Sequence, residues 1–97
     1  MSITKNQVEI LKSWKSEKEK ELEELRERIE YMTKAIEVIE TKIDVCKQGN
    51  LFNYMGGLKD ELRPKIGEIE GLRSQYDKIL EETKNIFPII DELILKN

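Results

Sequence analysis

Apolar side chains recur alternately three and four residues apart from Val8 to Cys46. Val8, Leu22, Ile29, Ile36 and Ile43 hold one heptad position, a, and Leu11, Leu25, Met32, Ile39 and Cys46 hold the other, d. This spacing draws a single stripe along one face of an α-helix, the pattern of a coiled-coil seam. Only Lys15 at a and Lys18 at d interrupt it. Thr4 and Gln7 stand three apart ahead of the stripe, a capping-box spacing, with Ile3 and Val8 placed as the hydrophobic staple. No Gly or Pro occurs before Gly49, and Lys47 supplies a cation at the helix C-terminus while Gly49 can take the left-handed cap. The pattern predicts one helix over about residues 4–48, roughly 60 Å long at 1.5 Å per residue.

Residues 49–57 carry the turn formers Gly49, Asn50, Asn53, Gly56 and Gly57 among four large apolar residues, Leu51, Phe52, Tyr54 and Met55, and predict a packed reversal of the chain. A second stripe follows, with Leu62, Ile69, Tyr76, Thr83 and Ile90 at a and Leu58, Lys65, Leu72, Ile79, Ile86 and Leu93 at d. It predicts a helix over about 58–96. Kinks are expected near Pro64 and Pro88, because each proline removes a backbone donor and crowds the preceding turn. Alternatively, Pro64 opens the helix proper and 58–63 forms a separate turn.

A reversal near residue 52 sets Ile43 opposite Leu62, Ile36 opposite Ile69, Ile29 opposite Tyr76 and Leu22 opposite Thr83. The fold class expected is therefore all-α, a long antiparallel two-helix hairpin in one domain spanning residues 1–97. Further out, Lys15 and Lys18 arrive opposite Phe87, Pro88 and Ile90, where the arms are expected to part.

Two stripes lie outside this seam. Ile66, Leu80, Phe87 and Ile94 repeat at e on the second helix, and Tyr31, Val38 and Val45 repeat at c on the first with Ala35 beside them. One partner helix cannot cover faces this wide. Burying them would recover roughly 1.5–3 kcal/mol for each large side chain, so self-association is expected, a homodimer in the form of a four-helix bundle first among the possibilities. Gly67 and Gly71 stand four apart outside the second seam. They are either unselected surface or the place where another helix comes close, and with Tyr31, Val38 and Val45 they are the candidate oligomer interface. The most apolar stretch of the chain, residues 86–95, faces Val8, Ile10, Leu11 and Trp14 across the hairpin mouth. Either these close a small terminal core, or Trp14, Phe87, Ile90 and Ile94 dock another protein.

Composition removes most chemistry. The 97 residues contain no His and one Cys, and 17 Lys and Arg nearly balance 20 Asp and Glu for a net charge of −3. Without His, and with Cys46 on a core position, neither the usual nucleophile arrangements nor a soft-ligand metal site can be built. The carboxylates from Glu17 to Glu27 alternate with Lys and Arg as on a solvated helix face, and Arg26, Arg28, Arg63 and Arg73 do not converge inside the seam. No cofactor and no catalysis are expected. Weak overall charge disfavours unaided nucleic-acid binding, so a DNA- or transcription-associated role resting on Lys12, Lys15, Lys18 and Lys20 is the alternative rather than the first reading. The opening residues lack the apolar run of a secretion signal and no stretch has the length of a membrane span. With a single cysteine, the location expected is cytoplasmic. The function expected is that of a structural or adaptor coiled coil working through protein–protein interaction.

Overall fold

The computed structural model describes residues 3–96, all of whose regular structure is helical. Helix α1 spans Lys5–Gln48 and helix α2 spans Phe52–Leu95, 44 residues each, and the two form a hairpin. The N-terminus of α1 is closed by the capping box. The Thr4 N–H donates to Gln7 Oε1 at 2.8 Å and the Gln7 N–H donates to Thr4 Oγ1 at 3.1 Å. Val8, the inner half of the staple, is buried, and Ile3 is half-buried.

The reversal occupies only residues 49–51, shorter than the expected 49–57, and its geometry explains why. Leu51 N–H donates to the Cys46 carbonyl at 2.9 Å and Asn50 N–H to that of Lys47 at 3.4 Å. These are the paired bonds of a Schellman cap. The left-handed residue is Asn50, with φ of 54°, and not Gly49 as expected; no glycine has positive φ among the described residues. Asn tolerates this conformation better than other residues with a Cβ. The chain then re-enters helix at once, because Met55 and Leu58 fall at a and d, one heptad and one half-heptad ahead of Leu62. Both are half-buried, so the second seam begins inside the stretch expected to be loop. Burial of this stripe outweighs the roughly 1 kcal/mol that each of Gly56 and Gly57 costs a helix. The tip is not the packed bend that was expected: Leu51, Phe52 and Tyr54 are exposed. Helix α2 also runs unbroken through Pro64 and Pro88. Both prolines are exposed, at c and f, so the carbonyls they orphan sit on the exposed turns of Asp60 and Lys84 rather than in the seam.

Two compact units are distinguished along the pair of helices, a tip unit of Arg26–Ser74 and an end unit of the residues to Leu25 with those from Gln75. In the tip unit Met32, Ile39, Ile43 and Cys46 of α1 are buried with Ile69 and Leu72 of α2. In the end unit Val8 and Leu25 are buried with Ile79, Thr83 and Ile90. Every described a and d position is buried or half-buried, Lys15, Lys18 and Lys65 included. Thr83 is the one buried polar side chain among the described residues, and its hydroxyl donates to the Leu80 carbonyl at 2.8 Å, so no buried polar side-chain atom is left without a partner.

The cap assignment makes two neighbouring positions respond oppositely. Asn50→Ala is expected to destabilise the chain by about 1 kcal/mol in urea titration, the cost of a Cβ in the left-handed region without a local hydrogen-bonding side chain. Gly49→Ala is expected to be neutral or slightly stabilising, since its added Cβ would meet Leu51 and the Val45 carbonyl at an ordinary 3.6 Å.

Candidate interaction surfaces

The end unit contains the two lysines that break the heptad pattern, and the arms do not part around them. Lys15 Nζ lies 2.7 Å from Asp91 Oδ1 and 5.3 Å from the centroid of the Phe87 ring. Lys18 Nζ lies 3.3 Å from Glu82 Oε2 and 3.7 Å from Glu21 Oε2. Glu21 and Glu82 both occupy g positions on facing edges of this unit, a like-charge pair that Lys18 neutralises from the d position between them. The aliphatic stems of both lysines line the seam while their ammonium groups reach the rim, which lets a cation occupy an a or d position without being fully desolvated. Hydrogen bonding to Asp91 raises the Lys15 pKa above its ordinary value, opposed by desolvation and reinforced by the negative charges of Asp91 and Glu19.

These contacts redefine the docking surface anticipated at this end. Ile90 is 2% exposed and is the largest fully buried side chain, so it belongs to the core and cannot meet a partner. Phe87 and Ile94 are half-buried, with the Lys15 ammonium near the Phe87 ring. Trp14 alone of the four is open, at 39%. The residues that sequence reasoning missed are Ile10 and Ile89, each 60% exposed. Both lie off the seam, Ile10 at c and Ile89 at g, on the edge where Trp14 also sits at g. A helical-wheel reading places Trp14, Ile10 and Ile89 together, whereas the count of apolar residues in 86–95 does not. A shallow groove of about 260 Å³ lined by Ile3, Gln7, Ile10, Leu11 and Leu93 adjoins this edge.

In the tip unit the c stripe is open to solvent along its length, with Tyr31, Val38 and Val45 exposed to 74, 53 and 62%. Val45 also borders a groove of about 430 Å³ with Thr41, Lys42, Cys46, Tyr54 and Leu58. Gly67 and Gly71 are exposed as well, and a Cβ placed on either would meet no atom within 4 Å, so nothing within the chain requires glycine there. On the opposite edge a second groove of about 460 Å³ joins Glu37, Glu40, Asp44 and Glu70 with Arg73 over Ile36, Ile66 and Ile69. Among the described residues no group of carboxylates, with or without Cys46, is arranged to hold a metal ion. Cys46 is free and buried. No helix is long and apolar enough to cross a membrane, among the described residues.

Comparison of this chain with models of protein families, with curated proteins and with solved structures finds no match.

The Lys15 contact carries a defined pH dependence. A lysine whose pKa is raised on folding contributes stability that is complete below its unfolded value and is lost as pH rises through the raised folded one. The stability difference between the wild type and Lys15→Met is therefore expected to stay constant from neutral pH to about 10 and to shrink above the ordinary lysine value of about 10.4. Asp91→Asn is expected to move the Lys15 titration downward, as followed by NMR of the side-chain methylenes. A double-mutant cycle on Lys18 and Glu82 is expected to give a coupling of roughly 0.2–1 kcal/mol, the range of partly exposed ion pairs.

Proposed function

We propose that this chain is a non-enzymatic coiled-coil adaptor that acts by associating with copies of itself and by presenting its open end to another protein. The observation that carries this reading is the exposed stripe of Tyr31, Val38 and Val45. The hairpin seam is already filled by the a and d residues, so these three side chains have no role in closing it, yet they repeat at seven-residue intervals as interface residues do. Mixed charges cover most of the remaining surface, and the exposed apolar residues off the seam, Ile66 and Leu95 apart, lie at this stripe, at the tip and at the edge formed by Ile10, Trp14 and Ile89. The tryptophan with its two isoleucines is the surface we assign to a protein partner, because a half-open indole flanked by aliphatic side chains has the composition of an interface anchor. A reducing, cytoplasmic setting suits a lone buried thiol.

Light scattering on the purified chain tests the self-association. The wild type is expected at twice the mass of one chain at micromolar concentration. Val38→Glu is expected to weaken the dimer about a hundredfold with unchanged helicity by circular dichroism, since two valine burials of about 1.5 kcal/mol each are lost per dimer. A wild type that stays monomeric at high micromolar concentration would overturn the proposal.

A further inference from the structure

The edge of the tip unit that bears Tyr31, Val38 and Val45 is sorted by charge. On α1 its charged residues are Arg28 and Lys42 at g, with Glu27 and Lys34 at the neighbouring f position, and no acidic residue stands at c or g between residues 26 and 48. On α2 the same edge carries Glu61 and Glu68 at g, and no basic residue stands at c or g between residues 52 and 74. Arg28, Lys34, Lys42, Glu61 and Glu68 are all exposed, and none makes an ion pair among the described residues. The c positions of α2 on this edge are Gly57, Pro64 and Gly71, which project little or nothing beyond the backbone.

We infer that a second copy of this chain covers this edge with its α2 lying over the first copy's α1, the two-fold axis running along the helices and both tips at the same end. This rests on the self-association proposed above and specifies its geometry. A two-fold axis across the helices would lay α1 on α1 and set the basic column of one copy against that of the other. The axis along the helices instead lays the basic column on the acidic column twice over.

Because this axis preserves level, each residue meets the second copy at the height it already faces within its own hairpin, where the reversal at 49–51 sets Gln48 level with Phe52 and so Ile36 level with Pro64 rather than with Ile69 as a turn near residue 52 would have it. Val45 then comes within two residues of the level of Gly57 of the second copy, Val38 of that of Pro64 and Tyr31 of that of Gly71. Lys42 comes within one helical turn of Glu61 and Lys34 within one turn of Glu68. Large side chains on α1 thus meet small ones on α2, which is the shape match that knobs-into-holes packing requires. It also gives the exposed Gly71, with open space around it, a packing role that the single chain does not supply.

Two measurements on the full chain test this arrangement. Glu61→Lys with Glu68→Lys is expected to weaken the dimer at least about tenfold, with helicity retained, because both basic columns then face basic columns. Adding Lys34→Glu and Lys42→Glu to the same chain is expected to restore it. Were the helices stacked α1 on α1, the first pair of changes would exchange one like-charge contact for another and leave affinity unchanged. In a Cys46→Ala background, chains carrying Val38→Cys mixed with chains carrying Pro64→Cys are expected to be joined by a short bis-maleimide, and neither kind alone to be joined to itself. A dimer by light scattering that ignores the charge reversal, or that cross-links through Val38→Cys alone, would overturn the geometry and leave self-association standing. A monomeric wild type would remove both.

Discussion

Two helices share one line of contact, and an apolar residue that is off that line either packs on another molecule or stays in water. This constraint orders the whole surface of the chain. The a and d residues are buried or half-buried without exception among the described residues, so the seam is full. Nothing in the hairpin remains to cover Tyr31, Val38 and Val45 in the tip unit or Ile10 and Ile89 in the end unit.

The reversal is where the two seams are brought into register. Asn50 in the left-handed conformation ends α1 and allows α2 to begin two residues later. A three-residue connection leaves little slack, so the level at which Met55 and Leu58 enter the seam is fixed by the cap itself. The N-terminus of α2 carries no acidic residue in its first turn, and Leu51 before it offers no capping oxygen. The tip therefore gives up the stabilisation of a capped N-terminus and gains the earliest possible start for apolar pairing.

Much of this was legible in the sequence because periodicity reports burial directly. The a and d stripes, the Thr4 and Gln7 cap and the helical hairpin all follow from spacing alone. Three features did not follow, each for a physical reason. Turn propensity at 49–57 overstated the loop, since Asn and Gly are turn formers on average, whereas Met55 and Leu58 sit at seam positions that only tertiary pairing rewards. Gly49 was the natural left-handed residue by steric preference, yet the cap bonds to Cys46 and Lys47 place Asn50 there instead. Ile90 was grouped with Phe87 and Trp14 by the apolar density of its segment, but as an a residue it points into the seam, and its burial was implicit in the heptad assignment.

The lysines in the seam were legible as interruptions but not as contacts, and their contacts bear on how the hairpin chooses one register. A seam of Ile, Leu and Val is nearly self-similar under a shift of seven residues, so apolar burial alone discriminates poorly between adjacent registers. The polar positions do not share that symmetry. Shifted one heptad in one direction, Lys15 would leave Asp91 for Lys84, and Lys18 would leave Glu82 for Gln75. Shifted in the other, Lys18 would meet Ile89. Each alternative exchanges an opposite charge for a like charge or a neutral residue, and leaves a half-buried lysine without its carboxylate. Leucines at positions 15 and 18 would bury more apolar surface and lose this discrimination, the same exchange of stability for specificity that a single polar residue makes in other coiled-coil seams.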